Sequence, residues 1–164
     1  MKRNRNLYLL LFTIIFQFCA DNSVYKSYKD FENGWKLNDT VFFKFRTSVD
    51  KKCDIQFHIR NDNDYQYSNL FLIASLEEDN YEVRKDTLEY LMADKEGNLL
   101  GRRYGNIRES FLTWVNEHDF KSNSDYLVTI NHAMRKNGEE KGIKSLPGVI
   151  TLGIKVSEKI YDNE

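Results

Sequence analysis

Hydrophobic and polar residues alternate with a period of two along much of this chain. The alternation is clear at 41–46, 55–60, 126–131 and 150–157, where every second residue is apolar. Successive side chains of a β-strand point to opposite faces of the sheet, so this period predicts strands with one buried face. The segment 69–76 is apolar on both faces, which predicts a central strand of the sheet.

Clusters of turn-forming residues separate these runs, at 61–64, 77–80, 95–98 and 136–138. The last cluster contains the Asn-Gly pair that is typical of tight hairpins. Many short strands with regular turns predict an all-β fold, an antiparallel β-sandwich in a single domain. The segment 107–115 is ambiguous, because its apolar residues follow a helical spacing while their neighbours also suit a strand.

The amino-terminal residues differ from the rest of the chain. Three basic residues within the first five positions precede an uncharged, mostly apolar run over 7–19. That run is shorter than the roughly 20 residues of a membrane-spanning helix. A basic segment followed by a short apolar one is typical of a secretory signal, and an uncleaved signal anchor is the alternative. We therefore predict a lipoprotein-type signal peptide at 1–18 and a β-sandwich domain at 19–164.

Cys19 lies at the end of this apolar run and is followed by polar residues. Its position resembles that of the cysteine in bacterial lipoprotein signals, which becomes the first mature residue and carries lipid. The preceding residue, Phe18, is larger than the small residue that is usual there, and an ordinary apolar cysteine inside the signal is the alternative. Each buried methylene contributes about 0.8 kcal/mol to membrane residence, so acyl chains such as palmitate on Cys19 would anchor the protein.

The overall composition is that of a globular protein. The 164 residues carry 24 Lys+Arg and 25 Asp+Glu, a formal net charge of −1. Without residues 1–18 the charge is −4, from 21 basic and 25 acidic residues. This balance argues against a nucleic-acid partner, because such proteins carry a basic surface. If Cys19 is lipidated, the second cysteine, Cys53, has no disulfide partner, and a lone cysteine on a strand is most often a small buried hydrophobe.

Common catalytic and metal-binding motifs are missing from the sequence. It has no Gly-x-Ser-x-Gly nucleophile turn and no phosphate-binding Gly-x4-Gly-Lys-Ser/Thr loop. His58, His118 and His132 stand on separate predicted elements, without the i, i+4 spacing of zinc sites. His132 shares the predicted inward face of Val128 and Ile130, so we expect it in the core. We predict no metal, no cofactor and no small-molecule substrate.

Two other function classes are compatible with the sequence. Asp62, Asp64 and Asp86 could supply the carboxylate pair of a glycoside hydrolase, but the required separation of about 5–10 Å depends on the fold. A carbohydrate-binding β-sandwich module at the cell surface would display aromatic side chains along one groove. The candidate residues for such a groove, all Trp or Tyr, are Trp35, Trp114, Tyr65 and Tyr67.

Four segments, spread over nearly the whole mature chain, resemble one known protein family. They are 59–72, 85–93, 130–135 and 146–156, and their order and spacing are similar to those of the gliding motility lipoprotein GldH family of the Bacteroidetes. The resemblance implies a non-enzymatic envelope lipoprotein that assists the gliding machinery, which in that group is tied to type IX secretion. It implies other envelope proteins as partners and a location on the periplasmic face, with no cofactor and no catalytic residues.

Two of these segments contain a predicted interaction surface. Tyr65, Tyr67 and Asn69 precede or begin the predicted central strand, and Met134 and Arg135 follow a later one. Exposed tyrosines offer rigid apolar area together with a hydroxyl group, which suits a protein interface. The alternative interpretation is a turn whose Tyr and Asn residues satisfy its own backbone hydrogen bonds, with Met134 and Arg135 serving hairpin packing.

Overall fold

The computed structural model describes residues 22–48 and 50–158. The predicted signal peptide at 1–18 and the predicted lipidation site at Cys19 lie outside the described residues. Within the described ranges the chain forms eleven β-strands and no α-helix. The strands are β1 (Ser23–Asp30), β2 (Trp35–Lys36), β3 (Val41–Arg46), β4 (Lys51–Asn61), β5 (Asn69–Glu78), β6 (Tyr81–Leu91), β7 (Arg102–Tyr104), β8 (Ile107–Phe120), β9 (Asp125–His132), β10 (Ser145–Leu146) and β11 (Val149–Glu158).

Two antiparallel sheets pack face to face. The order of strands is β1-β11-β4-β8-β7 in the five-stranded sheet and β3-β9-β5-β6 in the four-stranded sheet, while β10 and β2 form a short ribbon. Aromatic side chains bridge the two layers: the rings of Tyr25 and Phe45 stack with centroids 4.5 Å apart. Phe45 also lies 5.9 Å from Phe120 on the opposite sheet. The predicted all-β antiparallel sandwich is confirmed.

The period of two places side chains as expected. In β3, Val41, Phe43 and Phe45 are buried, whereas the intervening Phe42 is 62% exposed. β5 lies between β9 and β6, which confirms its central place in the sheet. Its inward side chains are fully buried, but Ile73 on the other face is 37% exposed. Each sheet of a sandwich covers only the inner face of the other, so the outer face of β5 meets solvent.

The ambiguous segment 107–115 is the first part of strand β8. It pairs with β4 along its whole length, and the register shifts on either side of Ile55. Near this shift Trp114 and Val115 are both buried although they are consecutive. A β-bulge turns two adjacent side chains towards the same layer. The bulge therefore accounts for the consecutive buried pair Trp114 and Val115, whereas Phe111, which also fits the helical spacing, is 47% exposed.

Cys53 is fully buried in β4 and is a free thiol. Burial and, to a smaller extent, the nearby Glu158 carboxylate raise the pKa of this thiol to about 11. At neutral pH the group is therefore a protonated, unreactive thiol, because the thiolate is the nucleophilic form. The expectation that Cys53 is a small buried hydrophobe is confirmed.

The strands connect at two opposite ends of the sandwich. At one end, which we call the Ser23 end, the chain enters β1 beside the end of β11 and the start of β4. The opposite end, which we call the Tyr67 end, includes the connections 62–68, 92–101 and 133–144. β1 has eight residues, and at about 3.3 Å per residue it alone spans about 26 Å between the ends. No helix within the described residues is long and apolar enough to cross a membrane.

Candidate functional site

The five residues of the predicted interaction surface converge at the Tyr67 end. The backbone of Phe71, near the start of β5, links the two groups: its carbonyl oxygen accepts a hydrogen bond from the Ala133 amide at 2.8 Å. The amide of Phe71 donates to the Sδ atom of Met134 at 3.2 Å. The connection after β9 is therefore held against the start of β5, which places Met134 and Arg135 at the same end of the sandwich as Tyr65, Tyr67 and Asn69.

Two of these side chains are not available to a partner. Tyr65 is 3% exposed and Met134 is 2% exposed, so the assumption that they lie on the surface is wrong. The hydroxyl of Tyr65 donates to the carbonyl oxygen of Asn69 at 2.7 Å, and burial raises the pKa of Tyr65 well above its usual value. The apolar ring of Tyr65 belongs to the core, where it holds the connection 62–68 in place. A loop lacks the pleat of a strand, so its alternate residues need not point outward.

The other three residues lie at the surface of the Tyr67 end. Arg135 is exposed, and Tyr67 and Asn69 are half-buried. The Tyr67 ring meets the Tyr65 ring edge-on, with centroids 5.6 Å apart. The side-chain amide of Asn69 donates to Glu89 Oε1 at 2.8 Å. The buried tyrosine thus supports the half-buried one, and Tyr67 is the aromatic side chain that this surface offers.

A cavity of about 540 Å³ opens between two of the connections at this end. Its lining combines side-chain amides, hydroxyls and one guanidinium, and none of the residues that line it is acidic. The lining residues are Asn63, Tyr65, Gln66, Tyr67, Ser68, Ala93, Gly97, Asn98, Leu99 and Arg108. Volumes of about 300–1,000 Å³ are usual for pockets that bind small ligands.

The second wall of the cavity is held in shape by Asp94. Its Oδ1 atom accepts hydrogen bonds from the amides of Asn98 at 2.8 Å and Glu96 at 3.0 Å, and its Oδ2 atom accepts one from the Asn98 side chain at 2.9 Å. The bonds from Asn98 lower the pKa of the Asp94 carboxyl, which is ionised at neutral pH. Gly97 provides the positive φ of +85° that this tight turn needs. The wall is therefore preformed by its own hydrogen bonds.

Arg108 and the connection 93–99 were not among the residues predicted for the site. Arg108 lies near the start of β8, directly opposite Asn61 at the end of β4, and it is half-buried. The turn residues Gly97 and Asn98 signal a loop in the sequence, but nothing in the local pattern indicates that this loop meets 63–68. The pairing of β4 with β8 and of β5 with β6 brings them together.

The aromatic groove expected of a carbohydrate-binding module is not formed by the tryptophans. Trp35 is fully buried and Trp114 is 6% exposed. Their indole N–H groups are satisfied inside the fold, by the Asp39 carbonyl oxygen at 2.7 Å and by Asp86 Oδ2 at 2.9 Å. Because both indole rings pack in the core, neither can stack on a sugar.

Of the three carboxylates proposed for a glycoside hydrolase, Asp62 and Asp64 share one surface and Asp86 does not lie on it. Asp62 and Asp64 line a concave surface beside Gly148, whereas Asp86 lies on β6, where it faces Arg84 and Trp114. Among the described residues, no group of three or more His, Cys, Asp or Glu side chains is arranged to hold a metal ion.

The sequence of this chain is similar to those of known proteins in one family. The family described as GldH lipoprotein matches residues 23–156. A gliding motility lipoprotein GldH homolog of Christiangramia forsetii is 36% identical over 161 residues, covering 96% of this chain and 98% of that protein. The gliding motility lipoprotein GldH of Flavobacterium johnsoniae is 32% identical over 152 residues, with coverages of 92% and 94%.

Among solved structures, the chain is similar to the CBM36-1 domain of a xylanase from the hindgut metagenome of Trinervitermes trinervoides. The TM-score is 0.36 at 11% identity, covering 82% of this chain and 90% of that domain. A similarity this low carries no argument about function. The family match covers nearly the whole described sandwich, and two relatives are 32% and 36% identical to this chain over nearly their whole length. The chain therefore belongs to the GldH lipoprotein family.

Proposed function

We propose that the protein is a lipid-anchored, non-enzymatic accessory component of the gliding motility and type IX secretion machinery, on the periplasmic face of the cell envelope. Its two full-length relatives are gliding motility lipoproteins by name. The cavity lining of amides, hydroxyls and one guanidinium favours binding over catalysis, because acid–base chemistry needs a titratable pair in reach of a substrate. The partners in this proposal are other envelope proteins.

The observation that supports this proposal is that Ser23 lies at the end of the sandwich opposite the candidate surface. Cys19 precedes Ser23, the first residue of β1, by four positions. Four extended residues reach at most about 14 Å, so a lipid on Cys19 would keep the Ser23 end close to the membrane. The Tyr67 end then points away from the membrane, where a partner can reach it.

Anchoring through Cys19 has a direct test. We expect Cys19→Ala to abolish palmitate labelling and to move the protein from the membrane fraction to the soluble fraction. Cys53→Ala is the matched control, because it removes the other cysteine of the chain and should leave both labelling and fractionation unchanged. Unaltered labelling or fractionation of Cys19→Ala would contradict lipid anchoring at this residue.

The direction in which the protein faces its partners has a separate test. We expect a photo-crosslinking amino acid at Gln66, which is exposed at the Tyr67 end, to capture envelope proteins of the gliding or secretion machinery in living cells. The same probe at Lys52, which is exposed at the Ser23 end, should give little or no such product. Equal capture at the two positions, or capture at Lys52 alone, would show that the Tyr67 end is not the partner surface.

A further inference from the structure

Arg108 is a half-buried arginine without a carboxylate partner. Arg46 and Arg60 each pair with an acidic side chain, at 2.8 and 2.9 Å, and Arg84 pairs with Asp86. Arg108 makes no ion pair with any described residue, although it lines the cavity at the Tyr67 end. Desolvating a charge without a counter-charge is unfavourable, so the position is suited to receive an anion from outside the chain.

A second arginine increases the positive charge beside the cavity. Arg103 is the direct cross-strand neighbour of Arg108 in the pairing of β7 with β8. Its Nε atom donates to the carbonyl oxygen of Gly105 at 2.9 Å, and Arg103 forms no ion pair with any residue that the structure describes. The adjacent Glu109 is already held by Arg60, with Nε and Oε1 2.9 Å apart. Like charges at directly opposed positions destabilise a sheet, and a bound anion would offset that repulsion.

The remaining lining of the cavity is suited to a carboxylate. Asn63, Gln66 and Asn98 also line the cavity, and their side-chain amides carry N–H donors. A planar guanidinium matches a carboxylate with two parallel hydrogen bonds, which are stronger than neutral ones. A peptide suits this cavity better than a sugar acid does, because Tyr67 packs edge-on against Tyr65 and offers no flat open platform for a sugar ring.

We propose that the cavity at the Tyr67 end binds a carboxylate-bearing segment of a partner polypeptide, with Arg108 holding the carboxylate and Arg103 adding to the local positive charge. This inference rests on the proposed function, because it names the chemistry by which the outward end recognises a protein partner. The two can fail separately, because the Cys19 and crosslinking results can support the proposed function while the cavity shows no preference for a carboxylate.

The test compares two dye-labelled nonapeptides of glycine and serine, one with a central glutamate and the other with a central glutamine. Binding is measured by fluorescence anisotropy on the full-length protein in detergent micelles, at low and high salt. We expect the glutamate peptide to bind about tenfold more tightly than the glutamine peptide, as one charge-assisted hydrogen bond would produce. We expect this preference to weaken as salt increases, because screening reduces the attraction.

Three variants locate the preference. Arg108→Gln should abolish it, and Arg108→Lys, which keeps the charge but not the planar fork, should reduce it. Lys136→Gln removes one positive charge from an exposed residue at the same end, and it should leave the preference unchanged. The thermal midpoint of Arg108→Gln should equal or exceed that of the wild type, because the repulsion with Arg103 is relieved. If Arg108→Gln does not fold, the proposal is tested by comparing the preference for the glutamate peptide between the wild type and Arg108→Lys, and an equal preference would overturn it.

Several results would overturn the proposal. These are equal binding of both peptides, no binding of either up to millimolar concentration, and a preference that survives in Arg108→Gln. Binding of glucuronic acid to the same cavity, without any preference for the glutamate peptide, would identify a saccharide as the ligand and would also overturn it.

Discussion

Replacement of Gly148 by alanine is expected to be among the most damaging single changes in this chain. Gly148 follows Pro147 in the tight turn between β10 and β11 and has a φ of +79°. A Cβ atom there would contact the amide nitrogen of Tyr65 and would lie 2.6 Å from the carbonyl carbon of Asp64. The strained φ and the backbone overlap together should lower the free energy of unfolding by about 3 to 5 kcal/mol.

The damage should extend to the candidate site, because Gly148 also holds the connection that carries Tyr65 and Tyr67. The carbonyl oxygen of Gly148 accepts a hydrogen bond from the Asp62 amide at 2.9 Å. A displacement of the backbone at this turn would therefore move the wall of the cavity. Crosslinking from Gln66 should be lost in any fraction of Gly148→Ala that folds.

Gly138→Ala provides the matched control. Gly138 has nearly the same φ, +80°, but a Cβ atom there meets no atom of the described residues within 4 Å. This change should lower the free energy of unfolding by about 1 to 2 kcal/mol, the cost of placing a non-glycine residue at a positive φ. Urea denaturation of the protein without residues 1–18, followed by the fluorescence of the two buried tryptophans, measures both values. Similar losses for the two variants would show that the close contact between Gly148 and Tyr65 does not constrain the fold.

Acidification is expected to destabilise the protein through His132. This side chain is 2% exposed and packs against the Trp35 ring, with centroids 5.4 Å apart. Neither ring nitrogen makes a hydrogen bond within the described part of the chain. Burial lowers the pKa of His132 to about 4, and the nearby Trp35 backbone opposes this shift only in part. Protonation of the imidazole in the core is therefore strongly unfavourable.

The sign of the pH effect follows from the two pKa values. An unfolded histidine has a pKa of about 6.5, so between pH 6.5 and 4 the unfolded state binds more protons than the folded state. The free energy of unfolding should therefore fall as the pH decreases, and His132 alone should remove about 2 to 3 kcal/mol by pH 4.5. Burial also lowers the pKa values of His58 and His118, which act in the same direction.

His132→Leu separates this effect from the other titrating groups. Leucine has a similar volume and no ring nitrogens, so the variant should retain its stability better from pH 7 to pH 4.5. It should also be at least as stable as the wild type at pH 7, because two unpaired buried polar atoms are removed. The measurement is a series of urea denaturation curves across this pH range. Identical pH dependence of the two proteins would refute the assignment to His132.

The strand positions were predictable because side-chain alternation is a local property of extended backbone. Val41, Phe43 and Phe45 face the core as their spacing indicated. The same rule left β8 ambiguous, because the consecutive buried residues Trp114 and Val115 lie near a shift in the register with β4. A bulge is defined by the pairing with the partner strand, so the sequence of 107–115 alone did not reveal it.

The side chains of the Tyr67 end were less predictable. The sequence indicated Tyr65 and Tyr67 as a pair, but it could not indicate that one ring enters the core and the other remains half-buried at the cavity. A loop has no fixed period, so the direction of each side chain depends on what surrounds it. In this fold the carbonyl oxygen of Asn69 and the turn at Gly148 provide the buried environment of Tyr65.

The sequence by itself determined the fold class, the segments that form most of the strands and the membership of a lipoprotein family, because these depend on local periodicity and on residues in a fixed order. The tertiary structure decided which residues share a site. The connections 63–68 and 93–99 and the side chain of Arg108 line one cavity because β4 pairs with β8 and β5 pairs with β6. Such pairings join residues that are far apart in the chain, and the alternation of side chains within one strand does not encode which strand lies beside it.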